Sequence, residues 1–151
     1  MQRGLLVAVC VVLSGCTGAN PIAGEDGPLE IQAVPCDSAL RYDDAAREVL
    51  IRDLATFQEW WPTHCDPPTP SLDFDTQVFV AVSTGGHTGY ELSIESAKSE
   101  AGTIVVEVLE TRPGRTCSVA QVITHPVATV AVSRVPGDLS VHYRQEVRDC
   151  D

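Results

Sequence analysis

The clearest pattern of apolar and polar positions runs through residues 71–97, SLDFDTQVFVAVSTGGHTGYELSIESA. Val78, Val80 and Val82 alternate with Gln77, Phe79, Ala81 and Ser83. Past a glycine cluster, Tyr90, Leu92 and Ile94 alternate with Glu91, Ser93 and Glu95. The second alternation is what a strand with one buried and one wet face requires, and the stretch predicts two strands. Gly85, Gly86 and Gly89 supply positive-φ positions that β-branched residues do not tolerate, and the join predicts a hairpin loop.

The same reading extends along the chain. Residues 29–34 (LEIQAV) predict a strand, and the polar residues 37–46 a loop. Residues 48–52 predict a short strand, followed by a helix that begins at Asp53. Asp53 can accept from the first-turn amides, Leu54, Phe57 and Trp61 share a helical face, and Pro62 marks the end. Residues 65–70 (CDPPTP) hold three prolines and exclude regular structure. Further strands are expected at 103–111, 117–124, 127–135 and 140–147, separated by Ala101-Gly102, Pro113-Gly114 and Pro136-Gly137 turns. Pro126 marks an edge or corner, and Val141, Tyr143 and Val147 fall on one face of the last strand. Strands at this spacing predict a mainly β fold, α+β at its margin, with antiparallel sheets in a sandwich- or barrel-like arrangement and one short helix.

The beginning of the chain reads differently. Arg3 precedes an unbroken apolar run over residues 5–13, too short to span a membrane, so residues 1–15 read as a secretory signal. Leu13-Ser14-Gly15-Cys16 resembles a bacterial lipobox, which implies cleavage before Cys16, a lipidated Cys16 and a location in the cell envelope. Two or more acyl chains on one residue make a stable anchor. Residues 16–28 have little to bury and read as a tether, a dozen such residues spanning roughly 20 Å. Residues 29–151 then form a single domain.

Charge narrows the partners. The net charge of −11 becomes about −12 once Arg3, the only charge in the signal, is removed. An acidic surface without a basic run disfavours nucleic acid and anionic lipid headgroups. With Cys10 in the signal and Cys16 lipidated, Cys36, Cys65, Cys117 and Cys150 remain, an even set that reads as two disulfides in an exported protein. Three connectivities are open. Cys36 and Cys150 follow the first and last strands, which favours joining them and pairing Cys65 with Cys117.

No strong catalytic constellation emerges. No serine sits in a G-x-S-x-G elbow, and His64, His87, His125 and His142 lack the i, i+4 spacing of helical metal ligands. Asp73 and Asp75 flank Phe74 and would point the same way from a strand, holding the chain in water while Phe74 turns inward; two carboxylates are too few for calcium. The glycine loop joins strand to strand, whereas a phosphate cradle needs a helix after the glycines. Neither a cofactor nor a metal is expected. Loops on a rigid β scaffold often carry binding, so Thr84, Gly85, Gly86, His87, Thr88, Gly89 and Tyr90 form the candidate partner-binding loop. Within it His87 and Thr88 are expected to reach outward, and Tyr90 to pack inward.

The Asp73-Phe74 start, the valine-rich strand, the Thr88-Gly89-Tyr90 loop end and the alternating strand after it resemble the C-terminal domain of PrcB-type lipoproteins. The likeness continues through residues 104–110, Pro113-Gly114, Ala120-Gln121 and Thr124-His125-Pro126, covering about 49–134. It implies a short helix carrying an aromatic pair like Phe57 and Trp60. It also implies a non-catalytic accessory or interaction subunit of a bacterial surface protease complex, with envelope proteins, a protease among them, as partners. A second resemblance, of TGGHTGY to the Thr-Gly-Tyr loop of chagasin-like peptidase inhibitors, implies an inhibitor instead; Arg112-Pro113 matches that family's third loop loosely, and its Gly-rich second loop has no counterpart. An unrecognised hydrolase is the third class, and a fixed polar cluster in a pocket would mark it.

Overall fold

A computed structural model describes residues 26–36 and 47–150. The signal, Cys16, most of the 16–28 tether and the 37–46 loop lie outside the described residues. Eight strands and one helix follow in chain order: β1 (Gly27–Leu29), β2 (Ile31–Ala33), β3 (Arg47–Ile51), α1 (Leu54–His64), β4 (Gln77–Ser83), β5 (Glu91–Glu100), β6 (Thr103–Pro113), β7 (Val127–Ser133) and β8 (Asp138–Arg148). They form two four-stranded sheets, ordered β1-β5-β6-β8 and β2-β7-β4-β3. The sheets face each other as an open sandwich rather than a closed barrel.

Alternation in β4 explains the layering. Val78, Val80 and Val82 are fully buried against Ile104, Val106 and Val108 of the first sheet. Phe79 and Ala81 point the other way and are buried too, against Phe57 and Trp61 of α1. The strand therefore has no wet face. Fully burying side chains of this size contributes about 1.5–3 kcal/mol each, so β4 joins the between-sheet core to a second core under the helix.

The helix starts as the sequence predicts. Asp53 Oδ1 accepts from the Thr56 amide at 2.9 Å, which holds its carboxyl below the usual range. Pro62 does not end it; the helix runs on to His64, and the Cys65 amide donates to the Trp61 carbonyl at 2.7 Å. Trp60 remains half-buried and stacks on His64 at 4.3 Å between centroids. Phe57 is the hub, with Trp61, Phe74 and Phe79 rings 5.4, 5.4 and 5.0 Å away. Phe74 thus turns inward as expected. Asp73 and Asp75 lie at a turn rather than in a strand, where Asp73 Oδ1 accepts from the Asp75 amide at 3.0 Å.

Four further expectations are corrected. Residues 29–34 are not one strand: β1 begins at Gly27, inside the expected tether, and pairs with β5, while β2 pairs with β7. The chain switches sheets at Glu30 because Leu29 and Ile31 both pack into the core between the sheets. Residues 117–124 form no strand, since no neighbour accepts them along their length. The pairing of β6 with β8 is parallel, running in register from Thr103↔Asp138 to Pro113↔Arg148. The disulfides are Cys36–Cys65 and Cys117–Cys150, with Cα separations of 5.1 and 4.8 Å, not Cys36–Cys150 and Cys65–Cys117.

Topology explains the bonds. Parallel β6 and β8 bring the residues that follow them side by side, so Cys117 meets Cys150. The helix lies on the outer face of the second sheet, and its C-terminal Cys65 meets Cys36 at the end of β2. On a chain-entropy model each closes a loop worth roughly 3.6 kcal/mol.

Non-reducing peptide mapping should recover Cys36–Cys65 and Cys117–Cys150; a Cys36–Cys150 peptide would refute the arrangement. Phe57→Ala should destabilise by about 3–5 kcal/mol in denaturant unfolding, through the cavity left among three aromatic rings. Leu54→Ala, on the same helix but half-exposed, should change stability by less than about 0.5 kcal/mol.

Candidate functional site

The glycine loop leaves β4 at Ser83 and does not return beside it. Both edges of β4 are occupied, by β3 and β7, so a hairpin is impossible there. The chain instead crosses to the other sheet and enters β5. Gly85 (φ +85°) and Gly89 (φ +71°) take the left-handed conformations that the crossing needs, whereas Gly86 does not. Gly85 is buried, and its amide donates to Ser83 Oγ at 3.3 Å.

His87 does not reach freely outward. Its amide donates to the Thr124 carbonyl at 2.8 Å, and the Thr124 amide donates back at 2.9 Å, forming a one-residue antiparallel bridge. Thr124 Oγ1 donates to the same His87 carbonyl at 3.0 Å. The imidazole Nε2 lies 3.1 Å from the Thr84 carbonyl, and the ring stacks on Tyr90 at 4.4 Å and 11°. Tyr90 is half-buried and packs on His87 rather than into the core. The Arg112 guanidinium lies 5.3 Å from the Tyr90 ring centroid and donates from Nε to Glu110 Oε1 at 2.5 Å. That hydrogen bond raises the Arg112 pKa further, so the cation persists at any working pH. His87, Tyr90, Arg112 and the buried Glu110 thus form one continuous chain of contacts across the end of the sandwich.

Residues 114–126 pack beside this chain of contacts. Their start is pinned to β8: the Gly114 amide donates to the Arg148 carbonyl at 2.8 Å, and the Cys150 amide to Thr116 Oγ1 at 3.0 Å. The Cys117–Cys150 disulfide reinforces both. A Cβ on Gly89 would stand 2.7 Å from Val119 Cγ1, so only glycine lets the two loops approach this closely. Between the pin and the Thr124 bridge, Val119, Val122 and Ile123 are 40%, 54% and 62% exposed. Singly exposed apolar residues are ordinary; three within five positions on an anchored loop suit contact with another surface.

All seven residues of the predicted loop lie at this end. His87 and Thr88 are half-buried rather than free to reach outward, while Gly85 and Gly89 take the positive φ expected of them. Arg112, Glu110, Thr124 and the apolar trio were missed. Glu110 had a legible signal, as an acid on the inward parity of Ile104, Val106 and Val108. The bridge to Thr124 had none, because it joins residues distant in sequence without a strand pattern.

An open cleft of about 250 Å³ beside β5 and β7 is lined largely by apolar groups, including Val34, Leu92, Ile94 and Val130. Another of about 210 Å³ is lined by Glu30, Gln32, Thr76, Gln77 and Ser133. Among the described residues no group of His, Cys, Asp and Glu could hold a metal, and no helix is long and apolar enough to cross a membrane.

Gly89→Val should destabilise by about 1–3 kcal/mol through backbone strain, and the clash with Val119 adds to it. Thermal or denaturant unfolding checks this; an unchanged midpoint would show that the two loops are not in contact.

The family profile described as PrcB C-terminal matches residues 79–133. That span is narrower than the likeness read from sequence, yet it runs from β4 to the end of β7 and includes both loops of the candidate site. No curated protein and no solved structure gives a significant match. Over about a third of its length, this chain is similar to the PrcB C-terminal family.

Proposed function

We propose that this protein is a non-catalytic accessory subunit of a protease complex at the bacterial cell envelope, held to a membrane by lipidated Cys16. The observation that carries the reading is the PrcB C-terminal match over residues 79–133, which includes both loops at this end of the sandwich. The family name supports association with a protease complex, and the geometry supports where the contact lies. Val119, Val122 and Ile123 provide apolar area, while Thr88, His87 and the Arg112 guanidinium provide a polar border. Interfaces commonly combine an apolar centre with a polar rim, and ordering the loops in advance lowers the entropic cost of docking. A lipid tether would add effective concentration, so even a weak contact with a neighbouring envelope protein would be populated. The partner is a protein with a complementary apolar patch.

Affinity capture from envelope fractions tests this with the anchor intact. Wild type should retain a protease-complex component, and a Val122→Asp, Ile123→Asp double variant of unchanged stability should lose it. A His87→Ala, Thr88→Ala variant should weaken capture less. An unchanged partner list in both variants would remove the loop end from the proposal. Cys16→Ala should abolish incorporation of labelled fatty acid; persistent labelling would refute the anchor.

A further inference from the structure

Among the described residues several strand edges of the sandwich are open, and they are not alike. Exposed edges invite pairing with other chains, and proteins usually blunt them with short strands, prolines or bulges. β1 and β2 are three residues each, and β1 contains Pro28. β3 has five residues, and β5 carries a register shift between Ile94 and Ser96 where its edge is uncovered. β8 is not short and has no proline or bulge; charged side chains also blunt edges, but its Arg144, Glu146 and Arg148 are of mixed sign. It runs for 11 residues without glycine or proline, its register on β6 is unbroken, and it is exposed from His142 to Arg148. No described strand pairs with its outer edge.

The direction of its backbone groups can be read from one bond. The Gly114 amide donates to the Arg148 carbonyl, so Arg148 points its backbone at β6. Successive residues of a strand point their N–H and C=O to opposite edges, so Tyr143, Gln145 and Val147 present theirs to the open edge. These three also share the face of Val141, and Tyr143 and Val147 are 41% and 63% exposed. The other face carries His142, Arg144, Glu146 and Arg148.

We propose that β8 pairs antiparallel with β8 of a second copy of this chain, centred on Gln145, joining two sandwiches through one continuous eight-stranded sheet. Charge selects this occupant and this register. Although the chain carries a net charge of −11, β8 is electroneutral, with Asp138 and Glu146 against Arg144 and Arg148. Two acidic proteins can therefore meet along it without opposing their negative excess. Centring on Gln145 sets Arg144 opposite Glu146 of the second copy, twice by symmetry, and Tyr143 opposite Val147, also twice. Arg144 already lies 3.7 Å from Glu146 of its own strand, so the pairing completes a cluster of alternating sign. His142 falls opposite Arg148; within its own copy His142 lies 3.2 Å from Glu107, and Arg148 pairs with Glu91 at 2.7 Å. A shift to centre on Arg144 or Glu146 would oppose like charges on the axis, at a cost comparable to the gain here.

The interface is separate from the loop surface proposed for the protease-complex partner, so either can fail alone. The test is sedimentation equilibrium of the full-length protein. Wild type should approach twice the 16.2 kDa chain mass with rising concentration. Glu146→Arg and Arg144→Glu should each weaken self-association by about tenfold, because each sets like charges opposite one another. Mixed together the two variants should recover a dimer, since positions 144 and 146 are then both basic in one chain and both acidic in the other. Gln145→Pro, which removes a donor used only at the open edge, should give a folded monomer. A wild type that stays monomeric at every concentration, a mixture that does not associate, or a dimer that survives Gln145→Pro would each overturn the proposal.

Discussion

Every layer of this protein meets at β4. Its valines at 78, 80 and 82 fill the space between the sheets, and Phe79 and Ala81 fill the space beneath the helix. A strand buried on both faces must also satisfy its backbone on both edges, and β3 and β7 do so in register along all or most of its length. That requirement dictates the path of the next segment. With no edge free, the chain can leave β4 only by crossing to the opposite sheet, and the glycine loop is that crossing. Gly85 and Gly89 are therefore constraints of topology before they are features of a binding loop.

The site inherits rigidity from the same source. The crossing delivers His87 to Thr124 and Tyr90 to Arg112, so two loops distant in sequence become one surface. Parallel pairing of β6 with β8 places Cys117 beside Cys150 and pins the second loop at its base. An apolar segment held this way can stay exposed without collapsing onto its own core. The PrcB C-terminal match spans both loops.

The sequence made the β architecture legible because alternation survives in β4, β5 and β6, and because Asp53 caps α1 as its chemistry requires. It misled where one pattern serves two structures. Residues 117–124 alternate weakly, but strand formation needs a neighbour, and the Thr124 bridge is all they obtain. The glycines between β4 and β5 look the same in a hairpin and in a crossing; only the occupancy of both edges of β4 separates them. The disulfide pairing depended on whether β6 and β8 run parallel, which no local pattern reports. Pro62 shows the reverse case, where packing of Phe57 and Trp61 carries the helix past a residue that locally disfavours it.

The account rests on the glycine loop being a rigid crossing rather than a free hairpin tip. Amide hydrogen exchange in the wild-type protein tests that most directly, because the His87 and Thr124 amides each donate to the other's carbonyl. Both should exchange as slowly as amides in the body of β7, held by the same cooperative unit. Exchange of either amide at the rate of an unstructured peptide would contradict it.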